Sequence, residues 1–571
     1  MRLSFILIAY LLFTHLKPNA QSLFSNKNSF SRFDTLAGSI TPERKWWDVV
    51  MYDLDIEPDM NKFSIAGSNR ILFSVSGNPV PSMQIDLQEP MQIDSAKLNG
   101  KHVTYTRENN LYFIKISEDQ INELAAAYKT GSKKLQELLI YYSGIPKPAL
   151  YPPWDGGLVW QKDAKNNSWV GVACQGQGAS CWWPCKDHPY DEPDSTLIAV
   201  TTPKDLMNVS NGRLRNSYET PDGKKKWQWF VSYPINTYNI TMNIGKYVQI
   251  KDTLLGENGT LSLDYYVLNY NEEKAKKHFK QVKPAMRALE HWMGPYPFYN
   301  DGYKLVETSY LGMEHQSAVA YGNKYINGYM GSDLSGSGWG LNWDYIIVHE
   351  SGHEWFGNNV SCNDVADLWI HEGFTNYSEA MYVDYHYGKA AANAYVQGIR
   401  KNIQNDKPIK GSYDVKNEGS SDMYYKSASL IHMIRAMMQN DSLFRELIRG
   451  IQIEFKLKQI SSIQLEQYIS VKTGLQLEKT FEQYLSTTQI PTLEYYLKKE
   501  KSRNLLYYRW SNCINGFDMP ILLPGNNSKL TLKTPGTKWQ FIETGCKTED
   551  EIKSVLDKNF YVNYKPSSSS K

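Results

Sequence analysis

Two histidines separated by three residues stand inside the apolar run "YIIVHESGHEWFGNN", residues 345–359. Residues four apart lie on one face of a helix, so His349 and His353 can direct their imidazoles at one metal ion. Glu350, beside the first histidine, can then reach a water on that ion. Taken alone, the motif also fits a buried histidine pair whose rings bond to the backbone.

A third donor follows in the segment "DLWIHEGFTNYSEAMYVDYHYG", which has the pattern of a second helix. Catalytic zinc uses three protein ligands and leaves one position open, and Glu372, with 18 residues between it and His353, supplies the third. Glu379 lies seven residues further on the same face, where it can accept the other ring proton of a ligating histidine. Gly357-Asn358 predicts the end of the first helix between them.

Together these residues predict a zinc hydrolase. Zinc lowers the pKa of a bound water toward neutrality, and Glu350 is the expected general base that removes its proton. Attack on an amide carbonyl then creates an oxyanion, which needs one hydrogen-bond donor in addition to the metal.

These residues resemble the zinc aminopeptidases of the aminopeptidase N and leukotriene A hydrolase type, which carry HExxH, 18 residues and then Glu. The segment "HESGHEWFGNNVSCNDVADLWIHEGFTNYSE" is similar to the whole helix-loop-helix of that family. The resemblance covers roughly residue 46 to the end of the chain. It implies one Zn²⁺ per chain, peptides with free N-termini as substrates, and release of residues from the amino end.

The segment "SYLGMEHQSAVAYG" is similar to the family's Gly-x-Met-Glu-Asn exopeptidase motif. The resemblance makes Glu314 the carboxylate that binds the substrate's α-ammonium, and the backbone of Gly312 and Met313 an edge for an extended peptide. Tyr310, just upstream, is expected to line the first side-chain pocket. The chain departs from the motif at Leu311, where the family usually has Gly, and at the following histidine, where it has Asn.

Two further segments complete the resemblance. "MYYKSASLIHMI" is similar to a Tyr-x-Lys-Gly-Ala segment and makes Tyr424 the donor to the oxyanion. "ACQGQGASCWWPCKDHP" resembles a segment in which Gln177 and Gln175 would reach into the cleft and help to bind the amino end. Several members have an aromatic residue five before the oxyanion tyrosine. That position is Gly419 here, which suggests a wider first pocket.

The composition fits an ordinary globular protein with no strong electrostatic field. Its 62 basic and 60 acidic residues give a net charge of +2, so nothing favours nucleic acid as a partner. The amino terminus "MRLSFILIAYLLFTHLKPNAQS" predicts a secretory signal peptide cleaved after Ala20. Its apolar run, residues 3–13, is about half of the roughly 20 residues that a membrane span requires. We therefore expect an exported protein, periplasmic or secreted, without a membrane span.

The elements that position the motifs predict a multidomain α+β fold. After the signal peptide, 1–20, and a leader segment, 21–44, alternating strands predict an N-terminal β domain over 45–250, and the family resemblance implies that it is saddle-like. Helical spacing predicts a mainly α domain over 251–502, and the resemblance implies a thermolysin-like catalytic domain there. Residues 503–571 predict a small C-terminal β domain with a disordered tail, "KPSSSSK", and the resemblance implies a β sandwich. About 70 residues are too few for the large C-terminal helical domain of many relatives, so a more open cleft that accepts longer peptides is expected.

Two features of the sequence, a Gly/Ser stretch and the six cysteines, allow less specific predictions. The Gly/Ser stretch "GSDLSGSGWG" lacks the strand and the Lys-Ser/Thr of a phosphate loop and predicts a mobile loop before the motif helix. Six cysteines in an exported chain permit disulfides, and Cys513 and Cys546 are candidates for a pair.

Alternative functions remain open at this point. A thermolysin-like endopeptidase would share the zinc chemistry, but it would desolvate the charge of Glu314 without using it. A catalytically inactive peptide-binding module would not need the complete set of zinc ligands, Glu350 and Tyr424. Epoxide hydrolysis occurs in one branch of the resembled family. The oligomeric state and the preferred N-terminal residue are not indicated by the sequence.

Overall fold

The computed structural model describes residues 29–526 and 529–567. The predicted signal peptide and the last residues of the predicted disordered tail lie outside this part. Three units follow one another along the chain, as the sequence predicts. Across the described ranges, no helix is both long enough and apolar enough to cross a bilayer.

The first unit is rich in β-strands. Its elements are α1 (Arg32–Gly38), α2 (Pro42–Lys45), β1 (Trp47–Asp59), β2 (Ser64–Val75), β3 (Ser82–Asp86), β4 (Gln92–Leu98), β5 (Lys101–Val103), β6 (Tyr105–Glu108), β7 (Leu111–Lys115), α3 (Glu118–Lys129), β8 (Gln136–Gly144), β9 (Gly157–Lys162), β10 (Ser168–Ala173), β11 (Ser195–Pro203), β12 (Met207–Ser210), β13 (Arg213–Glu219), β14 (Lys224–Val231) and β15 (Met242–Gly245).

These strands form a large sheet with two smaller ones packed against it. The eight-stranded sheet has the order β13-β14-β11-β1-β2-β8-β4-β5, the second has β12-β15-β10-β9, and the third has β3-β7-β6. Along β1 the buried residues Tyr52, Leu54 and Ile56 alternate with more exposed ones, because successive side chains of a strand face opposite sides. Their buried faces enclose a core that also takes in residues from further along the chain, such as Val306 and Ala320.

The second unit combines one mixed sheet with helices. Its elements are β16 (Tyr247–Gly256), β17 (Gly259–Leu268), α4 (Glu272–His278), α5 (Val282–Met293), β18 (Tyr303–Glu307), β19 (Gly312–Met313), β20 (Val319–Tyr321), α6 (Tyr345–Gly352), β21 (Val360–Cys362), α7 (Trp369–Tyr387), α8 (Lys389–Ile399), α9 (Tyr425–Met438), α10 (Asp441–Glu454), β22 (Lys458–Ile460), α11 (Ser462–Thr473) and α12 (Glu478–Ser486).

The mixed sheet has the order β16-β17-β18-β20-β19, which leaves β19 at its edge. Helices α5, α6 and α7 pack on one another, with apolar side chains such as Trp355 and Phe374 fully buried between them. The edge strand β19 lies against α6. This packing brings the two predicted motif helices and the Gly312-Met313 edge to one place.

The third unit is a small β region. Its elements are β23 (Thr492–Glu500), β24 (Arg503–Ser511), β25 (Ile521–Pro524), β26 (Leu530–Lys533), β27 (Gln540–Thr544), α13 (Glu549–Val555) and β28 (Asn563–Pro566). They form a four-stranded sheet, β27-β24-β23-β28, and a two-stranded one, β25-β26. Leu493 and Trp510 belong to the same core as the helices of the second unit, so this region does not have a core of its own.

Three expected features differ in detail. The boundary expected at 250 falls within β16, which pairs with β17 along its whole length, so the division lies before Tyr247. The boundary expected at 502 falls within the β23-β24 hairpin, so the third unit begins at Thr492. Cys513 and Cys546, which the sequence leaves as candidates for a disulfide, are not joined, and Cys513 carries a free thiol.

The described part of the leader segment, residues 29–44, is folded onto the first unit. The guanidinium of Arg44 makes two hydrogen bonds of 2.7 Å to the Asp86 carboxylate, and both side chains are buried. Its other Nη donates to the carbonyl oxygens of residues 36, 37 and 39, which fixes the turn after α1. Within this turn, Gly38 packs so closely on Val415 and Lys416 that a Cβ would overlap their backbone. The leader therefore touches both the first and the second unit.

Candidate active site

Helix α6 presents the first motif. The Asp344 carboxylate caps it by accepting from the backbone N–H groups of Ile346 at 3.0 Å and Ile347 at 3.3 Å. The helix ends at Gly352, earlier than the predicted end at Gly357-Asn358. His353 nevertheless keeps helical torsion angles, φ −63° and ψ −21°, so it remains on the same face as His349.

The three predicted metal donors lie close together in the structure. Donor atoms of His349, His353 and Glu372 lie within 4.8 Å of one another, and all three residues are buried. Glu372 Oε2 is 3.4 Å from His353 Nε2 and 3.8 Å from His349 Nε2. The spacing along two helices has therefore brought together the set that the sequence predicts.

Each histidine is oriented through its other ring nitrogen. His349 Nδ1 lies 2.7 Å from Glu379 Oε1, and His353 Nδ1 lies 3.0 Å from the carbonyl oxygen of Phe356. Both partners are acceptors, so Nδ1 carries the proton and Nε2 presents its lone pair to the cluster. Glu379 is held in turn by the Tyr395 hydroxyl, which donates to its Oε2 at 2.6 Å.

The donor set fits a zinc ion. Glu372 Oε2 is buried and has no hydrogen-bond partner among the described residues, as expected of an oxygen that faces a cation. Burial acts to raise the pKa of Glu372, but the adjacent imidazoles lower it to about 2, so the carboxylate is ionised and able to face a cation. Two imidazoles and one carboxylate leave a fourth position open, which is the arrangement of catalytic zinc.

Glu350 lies between the metal donors and strand β19. It is buried, and this burial raises its pKa to about 7. A Cβ added to Gly312 would stand only 2.7 Å from Glu350 Oε1. A glycine at this position lets the carboxylate lie directly against the strand, where it can exchange protons with a reacting group.

The predicted ammonium-binding residue joins the same cluster. Donor atoms of Glu314, Glu350 and His353 also lie within 4.8 Å of one another. Burial raises the pKa of Glu314, whose Oε1 accepts a hydrogen bond of 3.0 Å from the Tyr238 hydroxyl. Strand β19 pairs with β20 through Gly312↔Tyr321 and Met313↔Ala320, and its other edge has no partner strand in the described sheet.

Tyr424 lies beside the metal donor His349. Its ring stacks on that of His349, with centroids 6.2 Å apart and an interplanar angle of 26°. It precedes α9, half-buried. Tyr425, the adjacent candidate, is the first residue of α9. The structure thus brings the predicted oxyanion donor to the cluster.

The predicted glutamines and Tyr310 take different positions. Gln175 Nε2 donates to Glu372 Oε1 at 3.2 Å, which links the first unit to a metal donor. Gln177 instead hydrogen-bonds to Gln88 and Lys147, so its amide is not brought to the cluster. Tyr310 is buried, and its hydroxyl donates to the Val172 carbonyl at 2.7 Å, where it joins the two units.

Sequence reasoning did not identify three residues that hold the site. Tyr238, which bonds to Glu314, and Tyr395, which bonds to Glu379, come from distant parts of the chain and carry no local motif. Asn376, which donates to Glu379 Oε1 at 2.8 Å, lies three residues before it on α7, and this i,i+3 spacing was a usable signal.

Family comparison finds two matching domain models. The Peptidase M1 N-terminal domain matches residues 49–239, and the Peptidase family M1 domain matches residues 279–484. The first match covers most of the β-rich unit, and the second covers the metal donors, Glu314 and Tyr424.

Individual relatives agree with these matches. Aminopeptidase N of Lactobacillus helveticus is 23% identical over 479 residues, which cover 79% of this chain and 52% of that protein. The chain thus spans about half the length of the first curated relatives that it matches. A mutant M1 zinc metallopeptidase from Deinococcus radiodurans, bound to a Tyr-Ser-Ala substrate, superposes with a TM-score of 0.61 at 18% identity, covering 78% of this chain and 95% of that one. Legionella pneumophila aminopeptidase A gives a TM-score of 0.72 at 15% identity, covering 92% of this chain and 60% of that one. These two structures share the fold.

Proposed function

Because the chain belongs to peptidase family M1, we propose that it is a zinc-dependent aminopeptidase that releases residues one at a time from the amino end of peptides. The observation that carries the proposal is the position of Glu314, a buried carboxylate whose donor atom lies within 4.8 Å of those of Glu350 and His353. A carboxylate buried beside hydrolytic machinery suits a ligand that brings its own positive charge, and a free α-ammonium is such a ligand.

Substrate would be aligned by strand β19. Its outer edge is free to pair with an extended peptide, and Gly312 and Met313 supply the backbone groups. Glu314, the next residue, takes the ammonium and so fixes how far the chain can enter. This alignment sets the first peptide bond beside Glu350 and explains stepwise removal.

The chemistry divides among residues already in place. His349, His353 and Glu372 would hold a zinc ion, which would supply Lewis acidity toward the scissile carbonyl and lower the pKa of a bound water. Glu350 takes a proton from the attacking water and transfers it to the departing amine. The Tyr424 hydroxyl donates to the oxygen on which negative charge develops, and Glu379 keeps the His349 ring in its ligating orientation.

The two rival functions use fewer of these features. An endopeptidase would bind chain interiors, which bring no cation to the buried Glu314. An inactive binding module would not need a general base held against strand β19.

The proposal also includes export of the protein. Residues 1–20, which have the features of a signal peptide, support it.

The test is cleavage of one peptide in free and N-acetylated forms by wild type, Glu314→Gln and a matched control, Glu446→Gln, which removes an exposed carboxylate on α10. Products are followed by mass spectrometry. We expect wild type and the control to trim only the free peptide stepwise, and Glu314→Gln to lose at least about 100-fold in kcat/KM. Internal cutting of the acetylated peptide would assign the endopeptidase function. Failure to cut either form with zinc present would assign the binding module.

A further inference from the structure

One carboxylate at the cleft has no role in the chemistry proposed above. Glu418 lies six residues before Tyr424, in the segment that leads to α9. It is half-buried, and burial is the first cause of its raised pKa. Within residues 29–526 and 529–567, no cation lies within 4 Å of it. Such a group lacks the pairing that usually accompanies a desolvated charge.

The position of this carboxylate is set by the first unit. A Cβ added to Gly176 would stand 3.1 Å from Glu418 Oε1, so the carboxylate lies against the backbone of that glycine. Gln175, which precedes Gly176 in the chain, donates to the metal donor Glu372 at 3.2 Å. Glu418 therefore borders the strip of the first unit that reaches the metal cluster.

Electrostatic interactions with Glu372 and Tyr424 indicate that Glu418 lies near the metal cluster. Burial, followed by the negative charge of Glu372, raises the pKa of Glu418 to about 7, and its own charge contributes to the raised pKa of Tyr424. Lys416 and Lys407 act in the opposite direction. The ammonium of Lys416 is engaged elsewhere, 3.1 Å from the Gln177 carbonyl and 3.6 Å from Asp187.

The residue after Glu418 is Gly419, which has no side chain to compete for this wall. A Cβ there would overlap the carbonyl oxygen of Ile409, so the backbone lies directly against that of Ile409. Glu418 is then the side chain of this pair that can face the cleft. We expect a long side chain of the first substrate residue, extending from an ammonium bound at Glu314, to reach toward this wall.

We propose that Glu418 binds the cationic side chain of the first substrate residue, so that the enzyme favours peptides that begin with lysine or arginine. The inference rests on the proposed aminopeptidase function and names its substrate class. Lysine and arginine carry an apolar stem that can lie along a pocket wall and a charge at its end that can pair with a carboxylate. Glu418 acts on specificity and does not touch the reacting atoms.

The experiment compares kcat/KM for fluorogenic amides of lysine and norleucine, which share a straight apolar stem and differ in charge. Wild type should favour lysine by at least about tenfold, the effect of one charge-assisted hydrogen bond. Glu418→Gln should remove most of this preference through KM and leave norleucine release within about twofold. Glu446→Gln, on the exposed face of α10, should keep the wild-type ratio.

Each other outcome has one meaning. Equal release of lysine and norleucine by wild type overturns the inference and leaves the aminopeptidase function intact. An equal loss for both substrates in Glu418→Gln also overturns it, because Glu418 would then act on the α-ammonium that all substrates share. If wild type releases no amino acid from any amide or free peptide, the proposed function is wrong and this inference is wrong with it.

Discussion

The carboxylate of Glu350 lies directly against Gly312: a Cβ on that glycine would stand 2.7 Å from Oε1 and 2.9 Å from a methyl group of Ile346. The general base and the strand expected to align substrate are thus in contact, and no side chain fits between them. The position of the proposed base is therefore tied to the backbone that holds the reacting bond.

Replacing Gly312 by alanine should displace the Glu350 carboxylate. Small displacements of a catalytic group can lower the rate by about 100-fold, and we expect a loss of this size in kcat with zinc content unchanged. The measurement is steady-state kinetics with metal analysis. Gly536→Ala is the matched control, because its nearest neighbour would be 3.8 Å from the new Cβ. Normal kcat in Gly312→Ala would contradict the assignment of Glu350.

Replacing Glu379 by glutamine should weaken zinc binding. The carboxylate accepts the Nδ1 proton of His349 at 2.7 Å, and loss of such a partner typically costs about 10- to 100-fold in metal affinity. Competition with a chromogenic chelator measures this without reference to activity. Tyr395→Phe, which removes only the hydrogen bond to Glu379 Oε2, should have a smaller effect in the same direction. Wild-type zinc affinity in Glu379→Gln would show that His349 is not a ligand.

The two glutamines near the cleft should differ in effect. Gln175→Ala loses a hydrogen bond of 3.2 Å to Glu372 and should lower kcat/KM for free peptides by about tenfold. Gln177→Ala serves as its matched control and should stay near wild type, since its amide bonds to Gln88 and Lys147. The measurement is kcat/KM of both variants on one free peptide. The reverse result would mean that Gln177 turns into the cleft when substrate binds.

Acid should destabilise the fold through His188. Its Nδ1 accepts from the Tyr190 N–H at 3.2 Å, and its Nε2 lies 3.1 Å from the Gly38 carbonyl, so the neutral ring satisfies both contacts. Burial lowers the pKa of His188 to about 3. The unfolded chain, with a pKa of about 6.5, then binds more protons below that pH, and stability is lost as pH falls from about 6.5 toward 3.

This one group should contribute a loss of about 2 kcal/mol in unfolding free energy at pH 5. Urea unfolding at pH 7.5 and pH 5 measures it in wild type, in His188→Gln and in His102→Gln, which alters an exposed histidine on β5. We expect the first variant to have lower stability at pH 7.5 but a shallower dependence on pH, and the second to match wild type. An unchanged pH dependence in His188→Gln would contradict the prediction.

The parts of the site that could be predicted are those set by short-range spacing. His349 and His353 share a helix face, and Glu372 and Glu379 share another, so helical geometry alone brings them toward one point. Their partners Tyr238 and Tyr395 arrive through tertiary packing, which leaves no local pattern. The domain limits expected at 250 and 502 fall inside antiparallel hairpins, where pairing joins strands that composition had divided.

Gln175 and Gln177 show a different limit. They stand two residues apart in a turn, where strand alternation does not apply, so spacing alone cannot determine which of them faces the cleft. The orientation of Gln177 depends on Lys147 and Gln88, which hydrogen-bond to its amide from neighbouring segments of the first unit. Only the assembled structure contains that information.

The leader segment has a consequence for the order of folding. Arg44 and Asp86 are 42 residues apart in sequence, whereas Gly38 packs against the backbone of Val415 and Lys416 in the second unit. Contacts so far apart in sequence form late, because the intervening chain must first become compact. We therefore expect the Arg44 contact to form before the Gly38 contact, so that the wall that carries Glu418 is completed late in folding.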